Sequence, residues 1–206
     1  MSRRGSLRSD RYAKVKPQKL AHIVLRSRHF KESQRWYEQV LCAQSIHENS
    51  ILTFMTYDDE HHRIGIVNVP SAAPRDIQSA GVEHFAFTYA TLDELLATFV
   101  RLCEAGILPY WTINHGPTIS MYYRDPDDNK VELQYDVFET AAEAQAFITG
   151  DAYAENFMGI IFDPDEMIAR WERGEPLADL TKRPPLPEGM TPFDMARPNN
   201  PRATPR

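Results

Sequence analysis

The sequence predicts an α+β fold in which two βαβββ units pair around a common core. Segments 19–26 and 82–89 are both apolar and each contains a histidine, and each is followed by a helical pattern and three short strands. Their histidines, His22 and His84, lie 62 residues apart. A linker rich in proline and alanine, 70–75, separates the two segments. A unit of this size cannot bury its own sheet face, so the repeat predicts that the two copies share one core.

The hydrophobic pattern assigns the elements of each unit in order. The first unit is predicted as strand 19–26, helix 30–41 and strands 43–48, 51–57 and 62–69. The second is predicted as strand 82–89, helix 91–105 and strands 107–112, 118–124 and 129–135. Helix 91–105 ends before Gly106 and has an apolar stripe at helical spacing, formed by Leu92, Leu95, Leu96, Phe99 and Leu102. We expect this stripe to pack in the core.

The flanking regions differ from the repeat in composition and indicate three parts of the chain. Residues 1–18 are predicted to be a basic, flexible segment, and 19–136 the paired βαβββ domain. Residues 137–206 are predicted to be a C-terminal extension with helices at 139–148 and 163–173. Its proline-rich end, 183–206, is expected to be extended or disordered, or to form an arm around a neighbouring subunit.

Composition excludes several classes of protein. With 206 residues, 42% hydrophobic and 25% charged, the chain can bury one sizeable core. Its apolar runs are far shorter than the roughly 20 residues of a membrane-spanning helix, and no secretory signal is recognisable. The basic N-terminal residues lack a nucleic-acid-binding motif, so we expect no nucleic-acid partner. Cys42 and Cys103 are expected to be small buried thiols, which favours a cytoplasmic protein.

Three residues of the repeat form a candidate metal site. A lone histidine on a strand is usually structural, but His22 recurs as His84 at the matching position of the second unit. Glu132 stands between Val131 and Leu133, so alternation points its carboxylate to the opposite face from theirs. A solvated face is the alternative explanation for Glu132. Two histidines and one carboxylate are the ligand set of non-haem Fe(II) sites that leave coordination positions open.

Further polar residues suit a substrate pocket beside such a metal. His61 and His62 open a strand, and His115 lies in the loop before the strand that contains Tyr122. A histidine that titrates near neutral pH can accept a proton and pass it on. Each residue alone is ordinary, and only the nearby ligand set makes them candidates for catalysis.

Taken together, these residues resemble the vicinal oxygen chelate superfamily and, within it, the one-domain type I extradiol ring-cleaving dioxygenases. The most specific segment, 114–132, contains in order a histidine, a tyrosine, an Asp-Pro pair and a glutamate. The resemblance implies that His22, His84 and Glu132 bind the iron and that Tyr122 lies in the second sphere. It also implies that His62 acts as an acid–base group and that His115 hydrogen-bonds the substrate.

The function implied by this resemblance is insertion of both atoms of O2 into a catechol such as 2,3-dihydroxybiphenyl. Fe(II) is the implied cofactor, with Mn(II) as an alternative, and a homo-oligomer is expected. The interval from His115 to Glu132 is about two residues shorter than in the two-domain enzymes of this class. A glyoxalase-type or epimerase-type metalloenzyme and a metal-free binding protein remain as alternatives. Glyoxalases use a fourth ligand near 66–69, where Asn68 is the only polar residue, and this favours the dioxygenase.

Overall fold

A computed structural model describes residues 16–76 and 78–200 and contains two β-sheets with helices packed against them. Most of the predicted basic segment, 1–18, lies outside the described residues. The first unit consists of β1 (Ile23–Ser27), α1 (Phe30–Leu41), β2 (Gln44–Glu48), β3 (Leu52–Thr56) and β4 (Ile64–Asn68). The second consists of β5 (His84–Tyr89), α2 (Leu92–Glu104), β6 (Trp111–Asn114), β7 (Thr118–Arg124) and β8 (Lys130–Asp136).

The two units have the same strand order. The first sheet runs β1-β4-β3-β2, and the second begins with the equivalent order β5-β8-β7-β6. In each sheet the first and last strands of the unit pair in parallel, and the other neighbours are antiparallel. This recurrence confirms the predicted α+β fold with paired βαβββ units.

The predicted elements of the repeat are all present, with small differences at their ends. Helix 30–41 and strand 118–124 have the predicted bounds. Strand 107–112 was placed too early, since β6 begins only at Trp111; Pro109 has no N–H with which to join a ladder. Cys42 follows α1 in a left-handed conformation and is exposed, so the prediction that it is buried was wrong.

One hydrophobic core joins both helices and both sheets. The predicted stripe of α2 is buried throughout and packs with Tyr37 and Val40 of α1 and with Leu133 of β8. Each such side chain contributes about 1.5–3 kcal/mol through burial. Along β5, Phe85 and its alternate neighbours pack against this core, so His84 projects from the opposite face.

A turn between β7 and β8 ties the two units together. The carboxylate of Asp125 accepts hydrogen bonds from the backbone of Asp127 and Asn129, and from the Tyr37 hydroxyl of α1 at 3.0 Å. Asp127 accepts from the hydroxyls of Ser27 and Ser33 in the first unit. The Asp-Pro part of the segment that suggested the resemblance therefore has a structural function between the units.

The C-terminal extension continues the second sheet and covers its edge. It contains α3 (Ala141–Ile148), α4 (Asp151–Glu155), β9 (Ile160–Ile161), α5 (Pro164–Glu172) and α6 (Leu177–Thr181). β9 pairs antiparallel with β6. The described part of the proline-rich stretch docks on the same strand, where Asn199 exchanges hydrogen bonds with Thr112. Within the described ranges, no helix is long and apolar enough to cross a membrane.

Candidate active site

The second sheet brings His84 and Glu132 together. Glu132 pairs with Ala86 of β5, two residues beyond His84, so the alternation of the strands places both polar side chains on one face. The Nε2 atom of His84 lies 3.1 Å from Oε2 of Glu132. Glu132 is only 5% exposed, whereas His84 is partly open to solvent. The two form a half-buried pair on the face opposite the core.

The charges of this pair stabilise each other. The hydrogen bond with Glu132 raises the pKa of His84 to about 9, with burial opposing the shift and Glu83 supporting it. Burial acts to raise the pKa of Glu132, but hydrogen bonds from His84, Ser120 and Tyr122 outweigh burial and lower it. Glu132 is therefore an ionised carboxylate with its lone pairs directed at donors, which is the state in which it can bind a cation.

Tyr122 and His115 extend this group along β7. Tyr122 faces Glu132 across the β7–β8 ladder, and its ring centroid lies 5.3 Å from that of His84. The Tyr122 hydroxyl is 3.0 Å from Nε2 of His115. Burial raises the pKa of Tyr122 and lowers that of His115, so both are neutral at physiological pH. The four predicted residues of the second unit thus lie in one hydrogen-bonded group.

Aromatic side chains surround the Tyr122 end of this group. Trp111 packs on Tyr122 with tilted rings whose centroids are 4.7 Å apart, and the centroid of Tyr110 lies 6.3 Å from that of Tyr122. The indole of Trp111 donates to the carbonyl of Met195 in the C-terminal extension. The rings give the site an apolar wall beside its polar group, an arrangement typical of small-molecule sites.

The first sheet contains a second cluster, formed by the other predicted residues. His22 precedes β1 and stacks on His62, which precedes β4, with ring centroids 4.2 Å apart. Nδ1 of His61 is 2.6 Å from Nδ1 of His62, and the ring centroids of Phe54 and His62 are 4.5 Å apart. Burial, together with the charges of His22 and His61, lowers the pKa of His62. The ring of His62 is therefore a neutral proton acceptor at pH 7.

A cavity lies between the start of β1 and β5, the strands next to these two clusters. Its volume is about 110 Å³, and it is lined by His22 and Ile23 on one side and by Phe85, Ala86 and Phe87 on the other. Among the described residues, however, no three His, Cys, Asp or Glu side chains stand close enough to hold one metal ion. His84 and Glu132 are in ligating proximity, and His22 lies across the cavity beside the strand that contains His84. Two imidazoles and an ionised carboxylate fit Fe(II) by donor type.

Some members of the site are absent from the sequence-based prediction. Ser120 donates a hydrogen bond to Glu132, and a carboxylate oxygen of Glu83 lies 2.6 Å from Nδ1 of His84. The carbonyl of Met158 accepts a hydrogen bond from Nδ1 of His115. Glu83 adjoins a candidate ligand and could have been found from that position alone. Ser120 depends on the β7–β8 register, and Met158 acts through its backbone, so neither leaves a signal in the residue pattern.

Comparison with known proteins assigns the chain to a class. The family model of the Glyoxalase/Bleomycin resistance protein/Dioxygenase superfamily matches residues 19–133. The chain belongs to this superfamily, and the resemblance inferred from its residues is confirmed. A solved glyoxylase/bleomycin resistance protein/dioxygenase domain from Frankia sp. EAN1pec has a TM-score of 0.50 at 19% identity, covering 59% of this chain and 99% of that domain. At this identity the likeness concerns the fold alone.

Two curated relatives narrow the assignment. The chain is 42% identical to biphenyl-2,3-diol 1,2-dioxygenase 2 of Rhodococcus globerulus, over 79% of this chain and 86% of the relative. It is 37% identical to biphenyl-2,3-diol 1,2-dioxygenase 3 of the same organism, over 80% of this chain and 88% of the relative. The first match extends over 164 residues, so it includes part of the chain outside 19–133.

Proposed function

We propose that this protein is an extradiol ring-cleaving dioxygenase that inserts both atoms of O2 into a catechol-type substrate such as 2,3-dihydroxybiphenyl. The observation that carries the proposal is the 42% identity, over most of both chains, to a biphenyl-2,3-diol 1,2-dioxygenase. The arrangement of His84, Glu132, Tyr122 and His115 beside aromatic rings supports it, because it combines ligands, proton-handling groups and an apolar wall.

The proposed cofactor is Fe(II), with Mn(II) as the alternative, and the proposed ligands are His22, His84 and Glu132. A bound divalent iron would supply a Lewis acid that lowers the pKa of a phenol and a redox centre for oxygen chemistry. Glu132 is already ionised, and its neighbour His84 needs only to give up its proton to become a ligand. His22 would approach from the first sheet across the shared cavity.

The chain's own groups would bind the catechol and hold its protons. Trp111 and Tyr110 offer ring faces against which an aromatic substrate can pack. The single proton of the Tyr122 hydroxyl can be donated to a catechol oxygen, and Nε2 of His115 can then accept a proton from the substrate. His62, the neutral base of the cluster on the first sheet, would accept the remaining phenolic proton.

The decisive experiment is anaerobic reconstitution with Fe(II), followed by addition of 2,3-dihydroxybiphenyl in air. We expect one O2 consumed per catechol and a yellow ring-opened product, measured with an oxygen electrode and by visible absorbance. Parallel samples loaded with Mn(II), Zn(II) or no metal identify the metal. Iron binding without oxygen uptake on any of a series of catechols would overturn the proposal.

We also propose that copies of the chain associate. β2 lies at the open end of the first sheet and is exposed along its whole length, and such an edge can pair with another strand. Sedimentation velocity across a range of protein concentrations tests this, and a monomer at every concentration would exclude it.

A further inference from the structure

The imidazole of His115 is held from both sides, and one of its partners belongs to the C-terminal extension. Nδ1 lies 2.5 Å from the carbonyl oxygen of Met158, and Nε2 lies 3.0 Å from the hydroxyl of Tyr122. A carbonyl oxygen only accepts, so Nδ1 must carry the proton. In the neutral ring Nε2 then has a lone pair directed toward the Tyr122 hydroxyl, whose single proton can be donated either to this nitrogen or to Glu132.

We infer that the C-terminal extension sets the tautomer and orientation of His115, with Asn156 and Arg183 as the positioning residues. The effect of this tautomer on catalysis rests on the proposed function, whereas the tautomer can be tested without it. Neither residue touches the proposed reacting atoms, and both act on His115 through the backbone around it.

Asn156 fixes the loop that presents the Met158 carbonyl. Its Oδ1 accepts from the backbone N–H groups of Met158 and Gly159, at 3.2 and 2.9 Å. Its Nδ2 donates to the carbonyl of Gly159 at 2.8 Å. The side chain is 3% exposed, so these bonds form away from water. The Gly159 N–H and the Met158 carbonyl belong to one planar peptide, so the bond from Gly159 to Asn156 also fixes the direction of the carbonyl that accepts from His115.

Arg183 joins this loop to the backbone of His115. Its guanidinium donates to the carbonyl of His115 at 3.2 Å and to those of Asn156 and Ala152 at 2.7 and 2.6 Å. It also lies over the ring of Phe147, 4.9 Å from the centroid. The planar fork of donors on a guanidinium can bridge several acceptors in a fixed geometry, which a single ammonium cannot reproduce.

Gly159 provides independent evidence that the extension must come close to the backbone of Asn114 and His115. Its φ is +115°, and a Cβ placed there would lie 2.4 Å from the Asn114 carbonyl oxygen and 2.8 Å from Cα of His115. Those contacts are with backbone and cannot yield by a side-chain rotation. Only glycine therefore allows the extension to reach His115 at hydrogen-bonding distance.

The test is to record the imidazole ¹⁵N spectrum of metal-free protein, assigning His115 by comparison with the His115→Gln variant. We expect wild-type protein to show a single Nδ1–H tautomer, and Arg183→Met and Gly159→Ala to show a mixture. In the iron-loaded enzyme, the same variants should lose about 10- to 100-fold in kcat with a much smaller change in KM, because a misplaced group slows chemistry more than binding. Arg183→Lys should restore part of the Nδ1–H tautomer and part of kcat. This variant provides the test if Arg183→Met and Gly159→Ala fold poorly.

Arg170→Met is the matched control. Arg170 also lies in the extension, where it bonds Glu175 and the carbonyl of Asp179 instead of the carbonyls of His115, Asn156 and Ala152 that Arg183 bonds. It should retain the wild-type tautomer and kcat. The inference fails if wild-type protein lacks the Nδ1–H tautomer or if Arg183→Met keeps it as the single tautomer. It also fails if Arg170→Met changes the tautomer and lowers kcat as much as Arg183→Met does. If the tautomer responds as expected but no catechol is cleaved, the positioning is right and the proposed function is wrong.

Discussion

Glu132 shows which properties of a site residue can be predicted from its neighbours in sequence. Its position between Val131 and Leu133 predicted a carboxylate on the face opposite the core, and the structure buries both neighbours in the core while Glu132 faces His84. The donor Ser120 could not be predicted, since it reaches Glu132 only through the pairing of β7 with β8. Sequence neighbours determine the direction of a side chain, and strand register determines its partners.

Removing a proposed ligand tests the metal assignment directly. His22→Ala and Glu132→Ala should both abolish stoichiometric iron binding and turnover, because two remaining donors hold the ion weakly. Metal content after gel filtration, measured by mass spectrometry, gives the answer. His47→Ala, at an exposed histidine of β2, is the control and should bind iron normally. Full iron occupancy in either ligand variant would refute the proposed triad.

The His62→Ala variant tests whether His62 transfers protons or binds the metal. The variant should keep its iron, since His62 is not in the proposed ligand set, and should lose about 10²- to 10⁴-fold in kcat. Iron content and steady-state oxygen uptake on the same preparation measure the two effects. If iron is lost together with activity, His62 would belong to the ligand set.

At the scale of elements, helices and strands with a periodic hydrophobic pattern were predicted from the sequence. Strands that form only because they pair with an existing sheet edge were not predicted. α2 has a complete apolar stripe, and the Thr91 side chain caps it by accepting from the backbone N–H of Glu94. The position of this helix could therefore be predicted from the sequence. β9 has only two residues, Ile160 and Ile161, and exists because β6 offers a free edge. The proline-rich stretch likewise gave no sign that Asn199 would dock on Thr112.

The packing of α3 on the loop after β6 predicts a strong effect of Gly116→Ala. Gly116 has a φ of +99°, and an added Cβ would meet the Phe147 ring at 2.5 Å. We expect a loss of about 2–4 kcal/mol in unfolding free energy, from backbone strain and overpacking together. Gly106→Ala is the matched control, because Gly106 has a φ of +74° but open space around it, and should cost about 1 kcal/mol. Urea unfolding measures both, and equal losses would show that the contact with Phe147 contributes nothing.

The turn between β7 and β8 should be as important for stability as a core side chain. Asp125→Ala leaves the fully buried Tyr37 hydroxyl and two backbone N–H groups without their acceptor, and should destabilise the protein by about 3 kcal/mol. Tyr37→Phe should cost only about 1 kcal/mol, because Asp125 keeps its other donors. Urea unfolding of the two single variants and the double variant gives the coupling between the residues. Additive losses would contradict a direct interaction between the units.

For the molecule as a whole, the sequence predicted two similar units sharing a core but not the distances between their histidines. His22 and His84 occupy equivalent positions, yet in the structure His22 stacks on His62 while His84 pairs with Glu132. The relation between the clusters depends on how the two sheets pack, which involves contacts between residues far apart in the chain.

Metal binding that spans both sheets should stabilise the whole protein. Fe(II) at about 100 times its dissociation constant would add about 2.7 kcal/mol to the unfolding free energy. Anaerobic thermal unfolding with and without Fe(II) measures the change, and Glu132→Ala should show none. A wild-type protein whose unfolding temperature does not respond to any divalent metal would argue against a site built from both units.

The hydrogen bonds from Tyr37 and Ser27 to the β7–β8 turn have a consequence for how the chain acquires its structure. Residues in these pairs are separated by 88 and 100 positions, so the first unit must remain without part of its buried polar network until most of the second has been synthesised. Contacts of such sequence separation slow folding, because a long loop must close before they contribute. During synthesis, Tyr37 and Ser27 of the N-terminal half would therefore lack their carboxylate acceptors until residues 125–129 have been added.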